Sequence, residues 1–185
     1  MQKPLLEPIP PEEQTAFNLK RWQELLEDGE LARELARIEG RVETDRHGHV
    51  IVMSPPPGIP HSSYQGEITV LLHAMLPDGR VMPECPISTA DGVRAADVAW
   101  VSDERLAENG TAVCFIKAPE ICVEVLSPSN TRREMTEKKA LYFAARAREV
   151  WFCDEGKMTF FTKSDSSGET ASALYPEFPQ HVELR

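Results

Sequence analysis

Three segments of the chain carry apolar residues at helical spacing. The first covers residues 14 to 39 and is interrupted at Asp28-Gly29, which predicts two short helices. The second begins near His61 and ends before Pro77-Asp78-Gly79. The third covers residues 131 to 146. The pattern therefore predicts two short helices near the N-terminus, one helix that ends before Pro77 and one helix over residues 131 to 146.

Runs rich in β-branched and apolar residues separate these helices and predict strands. Asp91-Gly92 predicts a tight hairpin turn in which both central residues have positive φ, and Glu155-Gly156 predicts a second turn. Residues 102 to 117 are expected to form a loop. The predicted strands cover residues 41–45, 49–53, 81–90, 93–101, 121–126, 149–153 and 157–162.

The order of these elements predicts an α/β (α+β) domain with a mixed, largely antiparallel sheet flanked by helices. The 185 residues are enough for one domain with a sizeable core, which we assign to residues 14–185. Residues 1–13 contain four prolines and little apolar material, so we expect them to form a flexible N-terminal arm.

Composition narrows the class of protein. The formal net charge of −10 argues against a protein that coats nucleic acid, although residues 131–148 carry six basic and only two acidic side chains. That run is either a local basic face or an ordinary solvated helix face. No membrane span or signal peptide is recognisable, so a cytoplasmic location is expected. The four cysteines lack Cys-x-x-Cys spacing and are expected to be small core residues.

An acidic residue interrupts an otherwise apolar strand at Glu124. Ile121, Val123 and Val125 share one face of this strand, while Cys122 and Leu126 share the other face with Glu124. A buried carboxylate is costly unless a cation or several donors meet it. Glu124 is therefore either on an edge strand with access to water or a functional acid.

A second acid, Asp97, lies in the strand 93–101 among the small residues Ala95 and Ala99. Two inward-facing carboxylates on neighbouring strands would form a site for a hard cation. Mg²⁺ prefers oxygen ligands and often takes only one or two protein carboxylates, with water and substrate phosphate as the others. The sequence therefore predicts that Asp97 and Glu124 hold a metal ion.

Lys138 lies at the centre of the apolar stripe of the helix predicted over residues 131 to 146, between Met135 and Tyr142. The helix is therefore expected to direct this lysine inward, where it would pair with the two acids. The alternative is that its ammonium group extends along the protein surface to water. Lys139 lies off the stripe and is expected to be solvated.

Several short motifs carry a family resemblance over about residues 39 to 163. They are Ile51-Val52-Met53-Ser54-Pro55, His61, Arg94-x-x-Asp97, Glu124-Val125-Leu126-Ser127-Pro128-Ser129, Glu137-Lys138, Tyr142 and Glu149-Val150-Trp151. Together they resemble the Uma-two family of restriction-endonuclease-like proteins, in the PD-(D/E)XK nuclease superfamily. The resemblance implies a restriction-endonuclease-like core sheet and metal-dependent cleavage of phosphodiester bonds. It places Asp97 at the first acid of the motif and Glu124 at the second.

The chain departs from the superfamily pattern at two positions. Ala96 replaces the proline that usually precedes the aspartate, which changes backbone shape but no ligand. The superfamily lysine would follow Glu124 by two residues, where this chain has Leu126. In the Uma-two pattern the lysine is moved to the helix, and Lys138 fits that position.

Three further residues are possible additions to the site. Glu43 lies in the first predicted hairpin. His61 lies near the start of the helix predicted before Pro77, and Glu67 lies on that helix. Glu43 and Glu67 could each add a carboxylate, although either is more often a surface acid. His61 stands where the family usually has a histidine, but a histidine at a helix start can simply bond to nearby backbone.

The sequence thus leads to two hypotheses. The first is an endonuclease that uses Mg²⁺ or Mn²⁺, acts on nucleic acid with DNA as the expected substrate, has no membrane partner and is a homodimer. Asp97, Glu124 and Lys138 would be its catalytic residues. The second is a nuclease-like fold used for binding or assembly without turnover, which the acidic composition favours. A serine hydrolase is disfavoured because no Gly-x-Ser-x-Gly motif is present.

Overall fold

The computed structural model describes residues 11–38, 41–53, 58–164 and 167–184. Helix α1 (Pro11–Glu27) and the short helix α2 (Leu31–Leu35) are separated at Asp28-Gly29, as the sequence predicts. The expected N-terminal arm falls mainly on residues 1–10, outside the described residues, and its last three residues belong to α1.

A two-stranded hairpin follows the first helices. Strand β1 (Arg41–Thr44) pairs antiparallel with β2 (Val50–Met53), which confirms the predicted hairpin. The loop predicted after it falls on residues 54–57, outside the described residues. Helix α3 (Ile59–Met75) then begins two residues before His61, because Pro60 suits the first turn of a helix.

The remaining strands form one five-stranded sheet in sequential order. Neighbouring strands are antiparallel except for the third and fourth, which are parallel. The sheet is therefore mixed and largely antiparallel, and helices pack against it, which confirms the predicted fold class. Its strands are β3 (Gly79–Thr89), β4 (Gly92–Ser102), β5 (Ile121–Val125), β6 (Glu149–Asp154) and β7 (Lys157–Thr162).

The connections around β5 are helical. Helix α4 (Asp103–Asn109) occupies part of the segment that was expected to be a loop, and Ser102 caps it by accepting a hydrogen bond from the backbone N–H of Arg105. Helix α5 (Arg132–Ala144) forms the crossover between the parallel strands β5 and β6 and is capped by Thr131. This crossover places one face of α5 over the sheet.

The β3–β4 hairpin turns one residue earlier than the sequence predicts. Thr89 pairs with Gly92, so Ala90 and Asp91 form the turn, and only Gly92 has positive φ. The prediction that both Asp91 and Gly92 have positive φ was wrong, because the Thr89 hydroxyl closes this turn by bonding to the Asp91 N–H and the Gly92 carbonyl. A Cβ at Gly92 would lie 2.1 Å from the carbonyl oxygen of Thr44.

Apolar side chains fill both faces of the sheet. One cluster includes Ile68 and Leu72 of α3, and the other includes Tyr142 of α5. All four cysteines are buried and free, which confirms their prediction as core residues. Among the helices of the described residues, none combines the length and the apolar character that crossing a membrane requires.

Candidate active site

Strands β4 and β5 separate next to the two predicted acids. They pair only from Val98 with Val123 to Trp100 with Ile121, so Asp97 and Glu124 occupy the first positions beyond the paired region. There, Oδ2 of Asp97 accepts a hydrogen bond of 2.7 Å from the backbone N–H of Val125. The Asp97 carboxylate thus replaces a missing sheet hydrogen bond and is fixed beside Glu124.

Glu124 is buried, but donors surround its carboxylate. The Tyr142 hydroxyl donates a 2.6 Å hydrogen bond to Oε1, and Nζ of Lys138 lies 3.2 Å from Oε1 and 3.1 Å from Oε2. Burial raises the pKa of Glu124 above its ordinary value; Lys138 opposes this increase, while the negative charge of Asp97 adds to it. The alternative prediction, that Glu124 lies on an edge strand with access to water, was wrong. Strand β5 lies between β4 and β6, and the Glu124 side chain is buried.

Lys138 points inward from α5, as the helical stripe predicts. Besides Glu124, its ammonium group contacts Oε1 of Glu43 at 3.1 Å and the carbonyl oxygen of Ala95 at 3.4 Å. Burial would lower the pKa of Lys138, but the negative charges of Glu124 and Glu43 outweigh burial and raise it. Lys138 is thus a charged group inside the protein, and its ammonium does not extend to water.

Glu43 reaches the same cluster from strand β1. Its Oε1 accepts a hydrogen bond of 3.2 Å from the backbone N–H of Ala95, and Nε of Arg94 lies 3.7 Å from its Oε2. The side chain is buried and lies next to Lys138. The structure therefore brings Glu43 together with the Lys138–Glu124 pair.

Arg41 lies two residues before Glu43 on the same strand and connects the acids. Its Nη1 contacts Oδ1 of Asp97 directly, and its Nη2 lies 3.6 Å from Oε1 of Glu43 and 3.9 Å from Oε2 of Glu124. Burial would lower the pKa of the guanidinium, but Glu124, Asp97 and Glu43 outweigh burial and raise it. One cation is thus shared by Asp97 and Glu124.

The rim of the cluster comes from α3 and β3. His61 Nε2 lies 3.8 Å from Oδ1 of Asp97, and Gln65 Nε2 donates to the Asp97 carbonyl oxygen and to Oε1 of Glu84, both at 2.9 Å. Glu84 has a positive φ of 51° and lies 3.5 Å from Nη1 of Arg41. Glu67, by contrast, makes no hydrogen bond or ion pair with these side chains among the described residues.

The donor set fits a hard divalent cation that takes few protein ligands. Among the described residues, no three acidic, histidine or cysteine side chains are grouped as a complete metal site. Asp97 and Glu124 nevertheless offer carboxylate oxygens to one shared cation, the Arg41 guanidinium. Two carboxylates, with water and phosphate as the remaining ligands, are a usual set for Mg²⁺.

No site role was predicted from the sequence for four members of this cluster, Arg41, Gln65, Glu84 and Tyr142, although Tyr142 lies on the predicted apolar stripe and in the family motif. A usable signal existed for Arg41, because residues 41 and 43 of one strand share a face. Tyr142 lies four residues after Lys138 on one helix face. No comparable local signal marks Gln65 or Glu84, which reach the cluster through the packing of α3 and the backbone conformation of β3.

Comparisons with known proteins agree with this architecture. The model of the family "Uma2: Putative restriction endonuclease" matches residues 30–184 of the chain. Among solved structures, the chain is similar to a protein described as "a putative nuclease belonging to DUF820 from Anabaena variabilis ATCC 29413". The two are 20% identical, with a TM-score of 0.59, and the similarity covers 74% of this chain and 81% of the other. No curated protein gives a significant match.

Proposed function

The chain belongs to the Uma2 family, described as "Putative restriction endonuclease", and we propose that it is a metal-dependent endonuclease that hydrolyses phosphodiester bonds in nucleic acid. The structurally similar protein is described as a nuclease, which agrees with this proposal. The observation that carries it is that Asp97 and Glu124 lie at adjacent positions where β4 and β5 separate, with the ammonium of Lys138 paired to Glu124.

In this proposal, Asp97 and Glu124 hold Mg²⁺ or Mn²⁺. The bound ion would polarise the scissile phosphate and lower the pKa of an attacking water. The protein fixes the ligands in advance: the Val125 N–H orients the carboxylate of Asp97, and the Tyr142 hydroxyl orients that of Glu124. Such fixed partners reduce the reorganisation that ligand binding requires.

Lys138 is the proposed catalytic cation of the protein itself. Its ammonium group is held by Glu43 and Glu124, next to the site where negative charge develops on the phosphate during hydrolysis. A fixed positive charge in a buried site stabilises such charge more strongly than the same group in water. Glu43 positions this lysine and is not required as a metal ligand.

We propose DNA as the nucleic acid and a homodimer as the active form. Cleavage of both strands of a duplex is commonly organised by a two-fold symmetric pair of active sites. The overall acidic charge of the chain implies that binding depends on local contacts near the site and on the metal ion.

A nuclease assay tests the proposal. The protein is incubated with single-stranded and double-stranded DNA and with RNA, in Mg²⁺ or Mn²⁺, beside an Asp97→Asn variant. We expect cleavage by the wild-type protein and none by the variant. Absence of cleavage of every substrate by a folded, metal-binding wild-type protein would contradict the proposal, as would equal cleavage by both proteins.

A binding or assembly module without turnover is the second candidate. The observation that favours it is the guanidinium of Arg41, which already neutralises Asp97 and reaches Glu124. An acid pair used only for structure would keep this arginine and have no need of a metal ion. Isothermal titration calorimetry with Mn²⁺ distinguishes the two candidates. A metal-dependent endonuclease must bind Mn²⁺ through Asp97, whereas a binding or assembly module has no need to bind the ion.

A further inference from the structure

The Arg41 guanidinium lies at the centre of four carboxylates. Nη1 contacts Asp97 and Glu84, and Nη2 faces Glu43 and Glu124. We propose that Arg41 occupies the cation position of the acid pair in the metal-free protein, and that it binds a phosphate group of the nucleic acid once a divalent cation has taken that position. The inference rests on the proposed function and assigns the substrate contact at the same site.

Competition between Arg41 and the metal follows from the shared oxygens. Nη1 of Arg41 contacts Oδ1 of Asp97, while Oδ2 already accepts the hydrogen bond from the Val125 N–H. A metal ion that uses Oδ1 therefore needs the space of the guanidinium. The two cations would also repel each other at contact distance. Metal binding thus requires Arg41 to leave Asp97.

Lys138 is not displaced in the same way. Its Nζ lies on the α5 side of the cluster, where Glu124, Glu43 and the Ala95 carbonyl oxygen hold it. Its side chain is only 5% exposed, whereas that of Arg41 is 20% exposed. Of these two cations, Arg41 is the one whose charged end can turn towards solvent and substrate.

The chemistry of the released side chain points to phosphate. A guanidinium presents a planar set of donors that matches two oxygens of a phosphate group, and it stays charged at any working pH. The Nε of Arg41 is also buried without a hydrogen-bond partner in the described structure. A side-chain rotation that brings Nε and Nη to a phosphate would satisfy this donor as well.

The backbone that carries Arg41 is fixed, so a side-chain movement is sufficient. Thr44, at the end of β1, accepts a hydrogen bond from the Val93 N–H through its hydroxyl, and Arg94 donates to its carbonyl oxygen at 2.5 Å. Glu43 is fixed by the Ala95 N–H. Strand β1 is thus attached to β4 at Glu43 and Thr44, two and three residues after Arg41.

The first experiment measures metal binding without nucleic acid. Mn²⁺ is titrated calorimetrically into the full-length wild-type protein, an Arg41→Met variant and a control, Arg133→Met, which removes an exposed arginine that pairs with Glu137. Loss of the competing cation is expected to tighten Mn²⁺ binding by about tenfold in Arg41→Met, an ordinary magnitude for one charged contact. The control should bind Mn²⁺ as the wild type does.

The second experiment measures phosphate contact. Binding of a short fluorescent DNA duplex is followed by anisotropy in Ca²⁺, a hard cation of looser coordination geometry, with intact DNA verified on a gel. Arg41→Met is expected to bind the duplex about tenfold more weakly despite its tighter metal binding. Arg41→Lys keeps the charge, loses the fork geometry and should recover only part of the affinity.

Opposite changes in the two affinities are the signature of the proposal. Unchanged or weaker Mn²⁺ binding by Arg41→Met overturns it, and so does unchanged DNA binding. If Arg41→Met does not fold, as judged by circular dichroism, Arg41→Lys is compared in both experiments, with smaller changes of the same signs expected. Because neither readout is cleavage, a protein without nuclease activity would contradict the proposed function and leave the Mn²⁺ competition measurable.

Discussion

Lys138 and Glu124 form a buried ion pair, with Nζ 3.2 Å from one carboxylate oxygen and 3.1 Å from the other. The two residues belong to α5 and β5, so the pair joins the crossover helix to the sheet. A lysine at position 126, directly after the end of β5, would face the same side as Glu124 if the strand alternation continued by one residue. Position 126 is occupied by Leu126, which has no ammonium group, and Lys138 of α5 supplies that group instead.

Replacing Lys138 by methionine should abolish most cleavage and keep metal binding. The ammonium is not a metal ligand, whereas its loss removes a fixed charge that is expected to be worth at least about 100-fold in rate. Single-turnover cleavage and Mn²⁺ titration measure the two properties separately. The variant should also be less stable by about 3 to 5 kcal/mol, because Glu43 and Glu124 lose their partner, so both assays are run below its melting temperature.

Lys139→Met is the matched control for this variant. Lys139 is the next residue on α5, but its Nζ lies 3.8 Å from the centre of the Phe161 ring, away from the acid cluster. Its cleavage rate should stay near that of the wild type. Equal loss of cleavage in both variants would argue that helix integrity, and not the ammonium of Lys138, is what matters.

Asp97→Asn should remove the thermal stabilisation by Mg²⁺ or Mn²⁺. A metal ion at ten times its Kd stabilises the native state by about 1.4 kcal/mol, which raises the melting temperature of the wild-type protein. Asparagine keeps an oxygen that can accept the Val125 N–H but removes the charge that attracts the ion. Differential scanning fluorimetry over a metal series is the measurement, and an undiminished response would place the ion away from Asp97.

Tyr142→Phe should lower the free energy of unfolding by about 1.5 to 3 kcal/mol, the usual loss for a buried hydrogen bond to a charged group. The phenol is fully buried and donates a 2.6 Å bond to Glu124, so no water can replace it easily. Urea denaturation measures the change. Tyr64→Phe, in a residue packed against the other core cluster, is the comparison, and a similar loss there would contradict a special role of the Tyr142 hydroxyl.

Glu149→Ala should destabilise the attachment of the C-terminal segment. The buried carboxylate of Glu149 accepts hydrogen bonds from the Trp151 indole, the Ser172 hydroxyl and the backbone N–H groups of Ala173 and Leu174. Several of these buried donors would lose their partner, each at a cost of about 1 to 3 kcal/mol. Limited proteolysis should therefore cut the C-terminal segment faster than in the wild type, and an unchanged cleavage rate would contradict the anchor.

Gly92→Ala should weaken the site from a distance. The added Cβ would meet the carbonyl oxygens of Thr44 and Asp45 at 2.1 and 2.4 Å, and the positive φ of 88° disfavours alanine. A loss of more than about 1 kcal/mol of stability is expected in urea denaturation. Because β1 carries Arg41 and Glu43, Mn²⁺ affinity should change as well. The same substitution at Gly66, an exposed residue of α3 where a Cβ meets nothing within 4 Å, should not destabilise the protein, because alanine favours the helix, and should leave Mn²⁺ affinity unchanged.

Local patterns were sufficient for most elements and for the burial of Asp97, Glu124 and Lys138. Helical spacing placed Lys138 on the buried face of α5, and alternation placed Asp97 and Glu124 inside the sheet. Those inferences need only the period of one helix or strand. Lys139 is partly exposed, off the buried stripe, but its position on the helix does not reveal that its ammonium lies over the ring of Phe161 in β7.

The remaining members of the cluster depend on long-range packing. Arg41 meets Asp97 only because the β1–β2 hairpin lies against β4, a contact between residues 56 positions apart. Glu84 reaches Arg41 because its backbone departs from the extended conformation opposite Asp97. Strand alternation could have placed Arg41 on the same face as Glu43, but neither its contact with Asp97 nor the position of Glu84 is encoded in the hydrophobic period of a single segment.

The hydrogen bond between Asp97 and Val125 makes one amide proton a spectroscopic reporter of the acid cluster. The Val125 N–H donates to Oδ2 of the same carboxylate whose Oδ1 contacts Arg41. Any change in the charge next to Oδ1 alters the electron density of the whole carboxylate and thus the strength of this bond. The chemical shift of the Val125 amide therefore records which cation Asp97 carries, without any substrate present.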